Sequence, residues 1–444
     1  MKYLLYIFLI LTLRNTAFAQ TEAFSLSLKQ AVELGLKNRN DIKSGKYDVL
    51  ISENAVKQSK KGWIPEIEGS ADIRYNTELS KTIVPAGVLG NSEPMAFSLE
   101  TKTNSVYALN LTQPLYKADL INDTRIAKNN LAIEKERRIQ AETDIILGII
   151  IQSYLNVLLK ELQYKLAKEN ELRYDAYLHI ATGKYKLRAL VENDYLKTQL
   201  DYQNAVVTAK NQEQDYNLAI NALKYHINIQ DNAALVLTDS LKSVLISLPF
   251  QQQGNTAANR SEVRQLLLAQ ENNRLQLKKV RQSALPAVSL FGSYASQFQY
   301  KSFDYSQNDW WTQYSYVGIK LSLPITSHIK NSSTINEFRL RIVKGDFDLK
   351  QKFSDVDFEI RQSLAEINNT YANLEEAKAN LELSKTIISS NKKQFELGVF
   401  QYTAILESEK SITTAEEKYI QLMYDYLLAR YNLMKATGIV HLLK

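Results

Sequence analysis

The chain has 444 residues, 45% hydrophobic and 23% charged, which provides ample core and excludes wholesale disorder. Its formal net charge of +6 is mild and scattered, so nucleic acid is excluded as a partner. Only 14 glycines and 7 prolines leave few turns, so the elements must be long and are expected to be helices.

Residues 1–19, MKYLLYIFLILTLRNTAFA, carry Lys2, an apolar run from Tyr3 to Leu13, and Ala17-Phe18-Ala19 before Gln20. That is the pattern of a secretory signal peptide, and the run is too short to anchor in a bilayer. Removing it takes away Lys2 and Arg14 and lowers the net charge to about +4. With no cysteine, the exported chain has neither a disulfide framework nor a thiol for a lipid anchor.

Ser27 with Gln30 predicts a capping box for a short helix through Leu36, and a second helix is expected over about 40–61. Pro65 then ends helical structure. In "WIPEIEGSADIRY" the residues Ile67, Gly69, Ala71, Ile73 and Tyr75 alternate with Glu66, Glu68, Ser70, Asp72 and Arg74, a period of two that predicts a strand near 66–76. A polar loop over 77–104 leads to a second strand near 105–113. The apolar set there is Tyr107, Leu109 and Leu111, opposite Asn110 and Thr112. From about Ala118 to Lys184 no proline intervenes, predicting an unbroken helix on the order of 100 Å long. "IILGIIIQSYLNVLL" at 145–159 is too short, and too polar at Gln152, Ser153 and Asn156, for a membrane span; it reads as a buried stretch. The helix breaks at "LRALVEND", and a return helix runs over about 194–226.

The same order then recurs. A shift of 221 places Asn38, Arg39, Lys57 and Pro65 on Asn259, Arg260, Lys278 and Pro286. A shift of 210 places Pro114, Leu187, Leu196, Asp215, Tyr216 and Leu223 on Pro324, Leu397, Leu406, Asp425, Tyr426 and Leu433. A unit this long is a duplicated half, not a solenoid repeat, giving repeats at 20–230 and 231–444. In the second half, strands are expected near 287–300 and 313–323. Val288, Leu290, Tyr294, Phe298, Val317, Ile319, Leu321 and Leu323 fall on one face, and Ser289, Ser293, Gln297, Lys320 and Ser322 on the other. A long helix over about 333–393 follows, then a break at "LGVFQYT" and a helix over 402–437. Ile412, Ala415, Tyr419, Leu422, Tyr426, Ala429 and Leu433 form a heptad seam there.

Strands of nine to eleven residues with one apolar and one polar face fit an outer-membrane barrel, and equally a soluble sheet with one buried face. The export signal and the aromatic residues Trp63, Tyr75, Tyr107, Tyr294 and Tyr316 near strand ends favour the barrel. Four strands cannot close one, since about eight are needed, so several copies must share it; three copies supply twelve. Enzyme readings find no support. His179, His226, His328 and His441 stand alone with no metal spacing, Ser389 and Lys392 match S-x-x-K without companion motifs, and no phosphate loop is present. No cofactor or metal is expected.

The duplicated halves, "SLKQAVELGLKNRNDIK", the helix-proline-strand switch and "YKLRALVENDYLKTQLDYQNA" matched by "FELGVFQYTAILESEKSITTAEEKYIQLMYDYLLARYNLMKATG" together resemble the TolC family of outer-membrane efflux ducts. The resemblance implies a mostly α fold with a membrane β-barrel. A homotrimer would form a 12-stranded barrel in outer-membrane lipid and an α-helical tunnel through the periplasm. It would be the passive exit duct of a tripartite efflux or type I secretion system, and its tip would meet a periplasmic adaptor and an inner-membrane pump. The tips would be Arg188, Ala189 and Leu190 in the first half and Gly398, Val399 and Phe400 in the second, with Arg188 standing where the family keeps glycine. The family's tip aspartate falls on Asp194 and on Ala404, with Glu407 one turn later; Asp194 and Glu407 are the candidate gate, alternatively plain helix-cap carboxylates. The rival from another class is a periplasmic coiled-coil scaffold or adhesin whose sheet stays in water.

Overall fold

The structure, a computed structural model, describes residues 24–88, 90, 92–229, 234–247, 257–396 and 402–438. The signal-peptide reading of residues 1–19 and the tip residues Gly398, Val399 and Phe400 lie outside the described residues. The chain divides into two units, one of residues 1–47, 135–265 and 349–444, the other of 48–134 and 266–348.

In chain order the elements are β1 (Phe24–Leu26), α1 (Leu28–Asn38), α2 (Asn40–Lys61), β2 (Glu66–Tyr75), β3 (Thr82–Val84), β4 (Met95–Phe97), β5 (Thr103–Tyr116) and α3 (Ala118–Ile145). A π turn (Ile146–Ile150) leads into α4 (Ile151–Lys186), α5 (Glu192–Ile227), β6 (Leu235–Leu237), α6 (Leu241–Ser247) and α7 (Ser261–Gln282). The chain continues through β7 (Ala287–Tyr300), β8 (Trp311–Ser322), α8 (Ser327–Lys330), α9 (Ser332–Glu396) and α10 (Tyr402–Thr437). The capping box is present: the Gln30 amide donates to Ser27 Oγ, and the Ser27 amide to Gln30 Oε1.

The first unit is helical and buries the apolar run at 145–159. Ile146, Ile150, Ile151, Tyr154, Leu155 and Leu158 are almost wholly enclosed by α1, α5, α6 and α10. The helix runs on from Ala118 to Lys186, as the lack of proline suggested, but it is not α throughout. At the π turn the Ile151 amide reaches back five residues to the Ile146 carbonyl, which slips the helix phase and buries Ile145, Ile146, Leu147, Ile150 and Ile151 together. A regular helix would turn part of that run outward. Gly35 of α1 permits the close approach, because a Cβ there would lie 2.2 Å from Ile150 Cδ1. The Tyr154 hydroxyl donates to Asp239 Oδ2 and to the Leu26 carbonyl, so burial and that carboxylate push its pKa well up. Asp239 also accepts the Leu28 amide, fixing the start of α1 beside the parallel β1–β6 pair. That pair, and α6, have no periodic signal long enough to be found in sequence.

One device occurs twice. Arg39, ahead of α2, forks onto Asp41 and donates to the His226 carbonyl at the end of α5. Arg260, ahead of α7, forks onto Glu262 and donates to the Ala436 carbonyl at the end of α10. Each guanidinium thus satisfies a helix-end carbonyl that the helix itself leaves open. Burial pushes the Glu262 carboxyl up, but hydrogen bonds from Arg260 and its own backbone outweigh this and bring it down to about 2; Arg39 likewise holds Asp41 below the usual carboxylate range. A folded-state pKa below the unfolded one stabilises above the unfolded value and loses that stability as pH falls through the folded one. Helical circular dichroism of the detergent-solubilised protein is therefore expected to show about 2 kcal/mol less stability between pH 4.5 and 2 from Glu262, a decline that Glu262→Gln shallows.

The second unit holds a four-stranded antiparallel sheet in the order β2-β5-β7-β8. The two hairpins therefore share one sheet, joined by thirteen paired residues from Thr103↔Tyr300 to Tyr116↔Val288. Pro114, in an inner strand, falls beyond the last residue paired with β2, and the β5–β7 register shifts beside it; its missing donor breaks no ladder bond. The segment expected as a polar loop contains a small hairpin, β3–β4.

Candidate functional site

The sheet's register decides what each face offers. Ile67 pairs with Leu111, Leu111 with Gly292 and Gly292 with Val317; Leu290 pairs with Ile319 and Val288 with Leu321. Cross-strand partners share a face, so Ile67, Ile73, Leu109, Leu111, Tyr294, Val317, Ile319 and Leu321 form one apolar surface. It is uncovered: Ile67, Val317, Ile319 and Leu321 are each about 70% exposed. The other face carries Glu66, Glu68, Ser70, Asp72, Arg74, Asn104, Asn110, Thr112, Ser289, Ser293, Gln297 and Lys320, with a Ser293–Asn110 hydrogen bond of 2.9 Å and a Gln297–Asn104 bond of 3.0 Å. Both outer strands, β2 and β8, expose an unpaired edge, which a solitary sheet does not tolerate in a medium without water.

Aromatic placement differs from the expectation of strand ends. Tyr294 and Tyr316 are mid-strand in β7 (Ala287–Tyr300) and β8 (Trp311–Ser322), and Tyr316 pairs with Ser293 on the polar face. The true cluster lies at the loop end of the sheet. Phe298 is fully buried among Tyr300, Tyr305 and Trp311, with ring centroids 5.0–6.1 Å away, and Trp310 packs on Tyr300 at 5.1 Å. Such a belt suits the boundary between hydrocarbon and water. The signal for it was the composition of 298–311, where six of fourteen residues are aromatic.

In the helical unit, α4 ends in a Schellman motif: the Arg188 amide donates to the Tyr185 carbonyl at 2.9 Å and the Ala189 amide to the Lys184 carbonyl at 2.8 Å. Arg188 has φ +58°, the left-handed conformation that glycine accepts freely, which explains physically why a glycine suits this position. Arg188 and Ala189 are exposed, Leu190 is half-exposed, and Leu187 and Val191 project into solvent. Tyr185 stacks on Tyr195 across the turn at 4.8 Å. Arg188→Gly is expected to stabilise the turn by about 1 kcal/mol, read as roughly fivefold slower exchange of the Arg188 and Ala189 amides, with no such gain from Arg188→Ala.

Asp194 lies in the first turn of α5, half-buried, and its backbone carbonyl accepts the Thr198 hydroxyl. Glu407 is exposed on α10. Among the described residues neither carboxylate joins an ion pair, and no bond brings the two together. The carboxylate that is held is Glu409, 2% exposed at its side chain, with Lys392 Nζ at 3.0 Å, Arg173 Nε at 3.4 Å and the Tyr177 hydroxyl at 2.5 Å. Arg173 also reaches Glu416 at 3.4 Å, and Asn391 bonds Ser408 at 2.5 Å. This network ties α4, α9 and α10 together. It was legible in principle: Glu409 sits between Ile405 and Ile412 at steps of four and three, a seam position where a lone charge needs partners.

Among the described residues no three metal-ligating side chains converge. An open groove of about 690 Å³ between α4, α5 and α10 is lined among others by Gln163, Asn170, Asp201, Thr208 and Lys410.

An incomplete antiparallel wall, apolar on one side and polar on the other, carried by a chain of long paired helices, defines one subunit of an oligomeric channel. Residues 254–439 match the family described as outer membrane efflux protein. The chain is 21% identical over 341 residues, 76% of this chain and 70% of the relative, to the alkaline protease secretion protein AprF of Pseudomonas aeruginosa. Its fold is that of CusC, at TM-score 0.76 and 15% identity over 93% of this chain and 92% of the other. The Campylobacter jejuni CmeC outer membrane channel gives TM-score 0.70 and 16% identity over 93% and 85%.

Proposed function

We propose that three copies of this chain close one twelve-stranded barrel in the outer membrane and one helical tunnel in the periplasm, forming the passive exit duct of a tripartite efflux or type I secretion system. The carrying observation is the exposed apolar face of a four-stranded sheet with two open edges. In water that face would be left unburied, which argues against a soluble scaffold or adhesin. In lipid it is the wall of a pipe. The two halves of the chain, 20–230 and 231–444, act as structural repeats, each giving two strands and one tunnel hairpin.

The turn after α4, with Leu187, Arg188, Ala189, Leu190 and Val191 presented outward, and its counterpart at Gly398, Val399 and Phe400 meet a periplasmic adaptor protein coupled to an inner-membrane pump. Asp194 and Glu407, without an ion-pair partner among the described residues, are the carboxylates available to form an axial cation-favouring ring when three copies meet, whereas Glu409 holds the helices that carry Glu407. Protein extracted from outer membranes and added to planar bilayers should give stable single-channel steps, cation-selective in a way that the double variant Asp194→Asn, Glu407→Gln weakens. Absence of conductance would overturn the duct; selectivity unmoved by the double variant would remove the gate assignment alone.

A further inference from the structure

Every charged side chain in the four-stranded sheet stands on an edge strand. The inner strands β5 (TNSVYALNLTQPLY) and β7 (AVSLFGSYASQFQY) contain none. Edge strand β2 (EIEGSADIRY) carries Glu66, Glu68, Asp72 and Arg74, and the opposite edge β8 (WTQYSYVGIKLS) carries Lys320 alone. Register puts all five on the polar face: Glu66 is level with Thr112, Phe291 and Gly318, and Lys320 follows Gly318 by two residues. Arg74 is occupied by Asp72 at 2.8 Å, whereas among the described residues Glu66, Glu68 and Lys320 have no ion-pair partner. The two edges therefore differ in sign, acidic on β2 and basic on β8.

Three successive antiparallel pairings make β8 run opposite to β2, so the β2 edge of a second copy fits the β8 edge of the first as one more antiparallel pair. Neither edge strand contains proline, and every ladder donor is available. A lysine on an edge ordinarily discourages pairing. Here the facing edge supplies carboxylates on the same side of the sheet, which converts a blocking charge into a selective one.

We infer that Lys320 of one subunit pairs with the carboxylate row of β2 in the next, so that each seam of the barrel is closed by an ion pair on the lumen side that admits the β2 edge and rejects a second β8 edge. This rests on the trimeric reading above and names the contact that makes closure head-to-tail. Because closure tilts the strands and shifts their register, the position of the facing carboxylate along β2 is read by experiment.

The natural absence of cysteine makes that experiment clean. Lys320→Cys would be combined in turn with Glu66→Cys, Glu68→Cys, Ser70→Cys and Asp72→Cys, and outer membranes oxidised and separated without reductant. The expected result is a disulfide-linked trimer ladder from one or two neighbouring positions, and none from either single variant. In parallel, Lys320→Glu should lower the temperature at which the trimer dissociates in dodecyl sulfate by 10 °C or more, and a second reversal to lysine at the β2 position facing it should restore most of that loss. Trimers of the paired cysteine variants with no cross-link at any of the four positions, or Lys320→Glu trimers as heat-resistant as wild type, would overturn the seam pair and leave the trimer standing. A wild-type protein with no trimer at all would overturn the reading beneath it as well.

Discussion

Ile319→Arg is expected to abolish assembly. Ile319 lies in mid-strand of β8 on the apolar face, opposite Leu290 and about 70% exposed in the single chain. If that face meets hydrocarbon, a guanidinium there costs about 2–4 kcal/mol in each subunit, hence on the order of 6–12 kcal/mol for three copies. Little heat-resistant oligomer should remain in the outer membrane, and conductance should vanish. The control is Ser289→Arg, on the polar face beside Lys320, which should leave oligomer yield close to wild type and alter only ion selectivity. Equal tolerance of both substitutions would mean that the apolar face is not the lipid face.

The second large effect is expected at Arg260. Its side chain is 6% exposed, and its guanidinium holds Glu262 at 2.8 Å, Glu359 at 3.0 Å and the Ala436 carbonyl at 3.1 Å. Arg260→Ala would strand two carboxylates and a helix-end carbonyl, a loss of about 3–5 kcal/mol. Arg39→Ala removes the equivalent fork, but Arg39 is more exposed and faces one carboxylate, so about 1–2 kcal/mol is expected. Arg260→Lys keeps the charge and loses the fork, and should fall between. Denaturant midpoints of the helical signal give the order directly; equal losses at Arg39 and Arg260 would contradict this account of the duplicated staple.

The strands and the long helices were legible because each is periodic over ten residues or more: the alternation from Glu66 to Tyr75, the seam from Ile412 to Leu433. What escaped was set by tertiary contact. The π turn at 146–150 depends on which neighbours enclose five apolar residues at once, and β1, β6 and α6 are too short to leave a pattern. The seam in α10 was also read too narrowly, since Met423, Leu427 and Tyr431, on an adjacent stripe, are buried almost completely. At the site, sequence pointed to Asp194 and Glu407, while the carboxylate held by two cations is Glu409. Spacing marks a residue's place on a helix; only packing of α4, α9 and α10 brings Arg173 and Lys392 to it.

Whether three partial sheets make one closed wall is decided most directly by counting subunits. Native mass spectrometry of the protein extracted from outer membranes in mild detergent should find three copies of the chain in one particle and no smaller stable species. A monomer or a dimer that persists after detergent removal would leave the edges of β2 and β8 open and contradict the account.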